Sequence, residues 1–414
     1  MNTVAVSIHP WIIWLLCTYV FLLPFSSKFA SVVLIILLLL SIGYKISQKN
    51  VFRFSSFLMF WLMLFYILHL TGLFNTSNFE YAGLDLQIKL SFLLIPLCID
   101  NIPISTNDYR RIARSLIAGC TLLALVLLLN AFIEYFVWFG RSAFFYIDFC
   151  SIQHVAYFTL YINCALFFLT DEFFRLPGYR LRNRYLLGIW IIFLLFIVTL
   201  LSSRTAEFAV LITFSLYVFL RASEFSGKTT AIIKAAGTAL LMLVIFMAVS
   251  RVNNRFAETP AQHHESIPAP TTSNSVKHNV RFDIWNNAMQ VYKEHFIFGT
   301  GTGDVKDELI KQYELSGFTE GIDFNLSPHN QYLQTLLTLG IPGIIVLLMI
   351  FIYALYISFR SKNYLLISIL VAIGINMLTE SMLEKQSGVL FIAFILVLLA
   401  SQNQNISGRK TTES

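Results

Sequence analysis

The chain has 414 residues, of which 57% are hydrophobic and 13% are charged, and its formal net charge is +6. This composition lies outside the range of soluble domains and predicts a polytopic membrane protein. The positive charge does not indicate a nucleic-acid partner, because the lysines and arginines gather in short loops between apolar runs. The five cysteines show no paired spacing typical of a disulfide or a metal site.

Apolar runs long enough to cross about 30 Å of hydrocarbon predict twelve membrane-spanning helices. The runs lie near residues 10–25, 29–44, 55–74, 83–99, 112–138, 153–170, 185–202, 205–220, 231–250, 331–359, 363–379 and 387–401. Basic residues concentrate in alternate loops, so the positive-inside rule places both termini in the cytoplasm. We therefore expect an all-α polytopic membrane protein with about 12 transmembrane helices and one large periplasmic loop.

The same pattern divides the chain into four parts. We expect about nine transmembrane helices in residues 1–250, the periplasmic loop in 251–330, further transmembrane helices in 331–403 and a cytoplasmic tail in 404–414. Residues 257–279 are rich in Pro, Thr, Ser and Asn, which is typical of a linker.

The rest of the loop has helical periodicity. An amphipathic helix at the membrane surface is predicted from Arg281, with four apolar residues on one face: Phe282, Trp285, Met289 and Tyr292. A second helix is predicted from Asp304 as its cap, with Val305, Leu309 and Tyr313 facing inward and Asp304, Asp307 and Glu308 forming a solvated face.

Between these helices lies a G-x-G-x-G string, residues 299–303. It is a weak signal for a phosphate-binding loop, since it follows a helix and lacks a Lys-Ser/Thr ending. A tight turn is the favoured interpretation, and contact between its amides and a pyrophosphate stays open.

A histidine stands where this loop enters the next apolar run. Ser327 is predicted to cap the helix and Pro328 to begin it, so that His329 falls in the first turn, where unpaired N–H groups favour anions. Gly340 and Pro342 are expected to end or kink that helix. The alternative is a capped helix whose histidine merely lies among lipid headgroups.

Two arginines are expected on the same side of the membrane as this histidine. Arg204 lies between two apolar runs, where charged groups usually pair or bind something, although it could also snorkel or pair with Glu207. Together Arg204 and Arg281 would suit a pyrophosphate, and a neutral His329 could take a proton from a hydroxyl. Secondary candidates are Arg141, Asp148, His154 and Asn330; no carboxylate cluster in the sequence indicates a metal site.

Three stretches carry a resemblance to a known family: SSRTAEF at 202–208, VRFDIWNNAMQVYKEHFIFGTGTG at 280–303 and HNQYLQTLLTLGIPG at 329–343. They resemble the bacterial O-antigen ligase and polymerase superfamily. Arg204, Arg281 and His329 stand at the positions of the family's two arginines and its histidine. Phe208 departs from the family pattern, in which a leucine is usual.

The resemblance implies a GT-C-like membrane glycosyltransferase in the bacterial inner membrane, with its active site facing the periplasm. The implied donor is a glycan on undecaprenyl pyrophosphate and the implied acceptor is lipid A-core, within the surrounding membrane lipids. Arg204 and Arg281 would hold the leaving pyrophosphate and His329 would act as the base, with inversion at the anomeric carbon and without metal or cofactor.

Two rival functions stay open. A polymerase of O-antigen or exopolysaccharide would use the same donor, although twelve spans with one large late loop favour the ligase. A polysaccharide or lipid transporter would be expected to carry ionisable residues at the bilayer midplane and an internal repeat, and neither is evident in the sequence.

Overall fold

The computed structural model describes residues 3–48, 56–100, 102–137, 143–175, 181–201, 204–225, 227–256 and 280–412. In these ranges the secondary structure is helical, with no strand. The α-helices are α1 (Thr3–Leu22), α2 (Ser27–Ser47), α3 (Phe57–Thr71), α4 (Phe79–Lys89), α5 (Ser91–Ile99), α6 (Thr106–Val137), α7 (Tyr146–Phe149), α8 (Val155–Arg175), α9 (Leu181–Leu200), α10 (Arg204–Phe225), α11 (Lys228–Phe256), α12 (Val280–Glu294), α13 (Val305–Ser316), α14 (Thr319–Asp323), α15 (Gln331–Ser361), α16 (Tyr364–Met377) and α17 (Gln386–Thr412).

The apolar helices confirm an all-α multi-pass membrane protein. Within the described ranges, six segments are long and apolar enough to cross a bilayer: Ser27–Ser47, Phe57–Asn75, Phe79–Ile99, Thr106–Val137, Thr205–Glu224 and Gln331–Ser361. Shorter apolar helices occupy Ile8–Leu22, Arg184–Leu200, Tyr364–Met377 and Gln386–Ser401. The number of twelve crossings and the GT-C assignment stay predictions.

Helix packing brings the last third of the chain against the first. In the bundle α15 packs on α3 and α16, α17 packs on α5, and α16 packs on α8 and α10. Buried tyrosines tie these layers together, since the Tyr161 hydroxyl of α8 donates to the Ser387 carbonyl of α17 at 2.8 Å. The turn between α16 and α17, residues 378–385, is thereby placed beside the beginning of α8.

The predicted break at Gly340 is confirmed. Gly340 has φ 61° and ψ −149°, a conformation that essentially only glycine adopts, and it interrupts α15. Carbonyl groups near the break accept hydrogen bonds from the glycine-rich turn: the amide of Thr300 donates to Leu337 at 2.7 Å and that of Gly301 to Thr338 at 3.1 Å. The two irregular segments therefore satisfy each other's backbone groups.

This pairing decides the role of the G-x-G-x-G string. Its amides at Gly299, Thr300 and Gly301 donate to protein carbonyls, and the Gly303 amide donates to the Thr76 hydroxyl. A Cβ on Gly299 would stand 2.5 Å from the Thr338 carbonyl oxygen. The glycines permit close packing against α15, so pyrophosphate contact through these four amides is not the function of the turn.

Residues 280–330, which we call the loop module, contain α12, α13 and α14. The expected burial of Val305, Leu309 and Tyr313 is confirmed. On α12 the protein-facing residues are Val280, Ile284, Ala288 and Val291, whereas two residues of the predicted apolar face point outward: Phe282 is 61% exposed and Met289 is 41% exposed. Helix α12 is therefore apolar on two opposite sides.

Asp304 lies directly before α13 as expected, but its carboxylate does not cap that helix. It accepts hydrogen bonds from the amides of Ser77 and Asn78, both at 2.7 Å, and Asp307 accepts from the Asn78 side chain at 2.9 Å. The prediction of a merely solvated acidic face is wrong for Asp304 and Asp307, because Asp304 binds backbone amides just before α4, Asp307 binds the Asn78 side chain, and both tie the loop module to the helix bundle.

Candidate functional site

His329 lies just outside α15 and not in its first turn. The helix begins at Gln331, and Asn330 is its N-cap, with its side-chain oxygen accepting from the amide of Leu333 at 3.1 Å. The prediction that Ser327 caps the helix and Pro328 begins it is therefore wrong. Asparagine is an equally good cap, and Asn330 directly precedes the continuous apolar pattern.

The backbone of His329 is held in an uncommon conformation. Its φ is 45°, in the left-handed region, which costs a residue other than glycine about 1–3 kcal/mol. On one side the indole N–H of Trp285 in α12 donates to the carbonyl of Pro328 at 2.9 Å, and on the other Asn330 caps α15. The loop module and α15 thus jointly set the direction of the imidazole.

A carboxylate faces this imidazole. The Nδ1 atom of His329 lies 3.5 Å from Oε1 of Glu380, and the two side chains are 31% and 22% exposed. Glu380 belongs to the 378–385 turn after α16. A carboxylate beside Nδ1 favours the tautomer with its proton on that nitrogen, which leaves Nε2 able to accept a proton.

Two further predicted residues, His154 and Arg281, interact electrostatically with Glu380. Burial alone would raise the pKa of Glu380, but its hydrogen bond and charge interaction with His329, together with electrostatic interactions with His154 and Arg281, lower the pKa below its ordinary 4.5. The carboxylate is therefore ionised near neutral pH. His329, Arg281 and His154, which lie far apart in sequence, all act on one carboxylate.

Tyr146, the first residue of α7, belongs to the same surroundings. Burial and the Glu380 carboxylate raise the pKa of the Tyr146 hydroxyl, and Arg281 opposes that shift. The backbone of Tyr146 has φ 56°, so this residue too is held in the left-handed region. A phenol therefore lines the site on the side of the 143–154 segment.

The remaining predicted residues have separate positions. Arg204 is the first residue of α10, and its side chain lies outside the described part of the chain, as does all of Arg141. His154 precedes α8, and its Nδ1 accepts from the amide of Ala156 at 3.3 Å. Asn330 caps α15. Direct roles for these residues toward a substrate stay predictions.

Glu380 was missed from the sequence, where the segment between the last two apolar runs served only to assign topology. A signal was present: Glu380 and Glu384 stand four residues apart between two apolar runs, on the side of the membrane expected for His329. Charged groups in such a place are costly unless they pair. The sequence shows the cost, but it does not show the partner.

In chemical terms the site combines an arginine with a histidine that faces a carboxylate, and a histidine so placed is suited to removing a proton. Among the residues that the structure describes, no group of three or more His, Cys, Asp and Glu side chains could hold a metal ion. This defines the protein as a multi-pass membrane protein with a candidate histidine–carboxylate–arginine site.

Comparison with protein families identifies its class more narrowly. Residues 189–348 match the family described as O-Antigen ligase, so the chain carries a domain of the O-antigen ligase family. The matched residues include Arg204, Arg281 and His329 and end before Glu380. No curated protein matches the chain. The family resemblance that the sequence motifs indicated is confirmed.

Proposed function

We propose that this protein is an O-antigen ligase that transfers a glycan from undecaprenyl pyrophosphate to lipid A-core at the periplasmic face of the bacterial inner membrane. The observation that carries the proposal is the contact between His329 Nδ1 and Glu380 in a site shared with Arg281. The family match over residues 189–348 supports glycan transfer as the reaction class.

The geometry supports a single displacement. Nε2 of His329 removes the proton from an acceptor hydroxyl as its oxygen forms a bond to the anomeric carbon of the donor. The bond between that carbon and the pyrophosphate oxygen breaks, and the electron pair leaves with undecaprenyl pyrophosphate. Attack opposite the leaving group inverts the anomeric configuration.

This step creates a positive charge on the imidazole and a negative charge on the leaving pyrophosphate, and neighbouring side chains would stabilise both. As Nε2 gains a proton the imidazole becomes cationic, and the neighbouring Glu380 carboxylate stabilises that charge. Arg281, and Arg204 on the family motif, would neutralise the charge that develops on the leaving pyrophosphate through two-pronged hydrogen bonds. The proposed reaction therefore uses protein cations for the work that a metal does in other transferases.

The surface around the loop module supports lipid-linked substrates. Phe282 and Met289 point outward from α12, and exposed apolar residues continue after it at Phe296, Ile297 and Phe298. An amphipathic helix with such a face lies in the membrane interface. We therefore propose that Arg281, which precedes Phe282 on α12, lies at the level of the membrane where the pyrophosphate of a lipid-linked donor and the sugars of a lipid acceptor would meet.

Reconstitution tests the proposal. The protein in lipid nanodiscs, given undecaprenyl-pyrophosphate-linked glycan and lipid A-core, should produce core bearing the glycan, seen as a mobility shift on gels. His329→Ala should reduce the rate about 10²-fold or more, as expected for loss of a general base. His295→Ala, directly after α12, is the matched control and should leave the rate close to that of the wild type.

A glycan polymerase is the alternative, because it would use the same donor and the same kind of site. The glycolipids of a deletion strain distinguish the two. Loss of a ligase should leave polymer on undecaprenyl pyrophosphate and core without polymer, which is the result we expect. Core bearing a single repeat unit in that strain would identify a polymerase.

A further inference from the structure

A buried ionic cluster connects the segment after His329 with the turn that carries Glu380. At its centre is Lys89, at the end of α4, which is 1% exposed. Its ammonium group contacts the Asp85 carboxylate one helical turn earlier and lies 3.2 Å from both carboxylate oxygens of Glu384 in the 378–385 turn. A cation from the first quarter of the chain thus holds the turn that follows α16.

Gln331 extends the contacts to α15. Its side-chain nitrogen donates to Oε1 of Glu384 at 3.3 Å, and its side-chain oxygen accepts from the amide of Leu383 at 2.6 Å. Gln331 is the first residue of α15 and follows His329 by two positions, while Leu383 and Glu384 share their turn with Glu380. The bridge therefore joins the two backbone segments that present His329 and Glu380.

Lys89 and Asp85 are costly to bury, since their side chains are only 1% and 8% exposed, whereas the Glu384 side chain keeps 25% of its exposure. Burial and the Asp85 carboxylate raise the pKa of Glu384. Lys89 opposes this rise most strongly, and His69 and Gln331 also lower the pKa. Apolar side chains could fill the same space without that cost. Apolar side chains could not, however, form the hydrogen bonds and ion pairs that fix the relative positions of α4, the 378–385 turn and α15.

We propose that Lys89 is a positioning residue for the transfer reaction: it holds Glu384, and through Glu384 and Gln331 it sets the approach of Glu380 to His329. The inference rests on the proposed function, because the separation of those two side chains matters only if His329 acts as a base. It extends that function by assigning a role to a lysine that no sequence motif marks.

The test uses a paired replacement. Lys89→Met alone would leave the Asp85 carboxylate buried without its cation and could prevent folding. The double variant K89M/D85N removes both charges and still deprives Glu384 of its cation. The matched control, R221M/D171N, removes another buried pair, in which the Arg221 Nε lies 3.1 Å from the Asp171 carboxylate. Asp171 lies near the C-terminal end of α8, about 24 Å along the helix from its first residue, Val155, and so far from His154.

Two measurements are made on each folded protein in nanodiscs: kcat and KM for glycan transfer, and hydrogen–deuterium exchange of a peptide covering residues 378–385. For K89M/D85N we expect kcat to fall about 10-fold or more, because small displacements of a catalytic group are costly, with KM for the donor changed less than about 3-fold. Exchange in the 378–385 peptide should become faster. The control R221M/D171N should leave kcat, KM and the exchange of the 378–385 peptide at their wild-type values.

Wild-type kcat together with wild-type exchange in K89M/D85N would overturn the inference. An equal fall of kcat in R221M/D171N would also overturn it, since loss of any buried pair would then suffice. If the wild-type protein transfers no glycan, or His329→Ala transfers it normally, the proposed function fails. In that case the exchange of the 378–385 peptide still shows whether Lys89 holds the turn.

Discussion

In the proposed reaction Arg281 has two kinds of partner. Its positive charge contributes to the lowered pKa of Glu380, and the proposed reaction also assigns it the leaving pyrophosphate. Lysine in its place would keep the charge and lose the planar fork of donors. We expect Arg281→Lys to lower kcat/KM at least about 10-fold, measured by glycan transfer in nanodiscs.

The reverse replacement on the surface is the control for this prediction. Lys311→Arg in α13 changes a side chain that is 67% exposed and pairs with Glu308, so transfer should stay at the wild-type rate. Equal activity of wild type and Arg281→Lys would show that positive charge alone is needed at Arg281.

Glu380 links the site to stability. Its pKa is lower in the folded protein than its ordinary 4.5, so its ionised form stabilises the fold above that value, and this contribution is lost as the pH falls through the lower folded pKa. We therefore expect wild type to melt at a higher temperature than Glu380→Gln near neutral pH, and the difference to shrink below about pH 4.5.

Glu314→Gln, at an exposed position of α13, provides the baseline for replacing a surface carboxylate. A difference between wild type and Glu380→Gln that grows as the pH falls would contradict the sign derived for Glu380. In that event burial would dominate over the surrounding positive charges.

At the scale of elements, a side-chain hydrogen bond next to His329 joins α12 to the segment that leads into α15. Replacement of Trp285 by phenylalanine would keep an aromatic ring but remove the N–H that donates to the carbonyl of Pro328. Because His329 is held in a strained backbone conformation, we expect Trp285→Phe to reduce kcat about 10-fold. Met289→Leu on the outward side of α12 should not, and equal rates for the two variants would remove the bond from the mechanism.

The break in α15 depends on one glycine. A Cβ at Gly340 would stand 2.3 Å from the carbonyl oxygen of Ile297, and its φ of 61° disfavours any other residue. We expect Gly340→Ala to destabilise the protein by about 2 kcal/mol or more, measured by thermal or denaturant unfolding in detergent.

Gly374 in α16 is the matched control, because a Cβ there would meet nothing closer than the Tyr332 hydroxyl at 3.5 Å. Gly374→Ala should change stability by no more than about 1 kcal/mol, and in the favourable direction if helix propensity dominates. Comparable losses in the two variants would mean that the backbone conformation at Gly340 is not the cause.

At the scale of the whole molecule, the proposed reaction relies on guanidinium groups to neutralise the leaving pyrophosphate. We therefore expect EDTA to leave the transfer rate of the purified protein unchanged. Loss of the rate with EDTA, followed by its recovery with added magnesium or manganese, would contradict a metal-independent mechanism.

The sequence by itself determined the membrane class, the break at Gly340 and the resemblance to the family that matches residues 189–348. Each of these depends on residues close together in the chain: about 20 consecutive apolar residues are enough to predict a span, and one glycine before a proline is enough to predict a break. His329 and Arg281 were found for the same reason, since each lies in a short family motif.

Only the tertiary structure decided what surrounds those residues. Both Ser327 and Asn330 are good helix caps, and α12 has two apolar sides, so local pattern could not choose the helix start or the buried face. The contact between His329 and Glu380 depends on how α15, α16 and α17 pack, as does the link from Lys89 to Glu384. Such contacts join segments far apart in the chain, and their partners follow from packing and not from the spacing of residues.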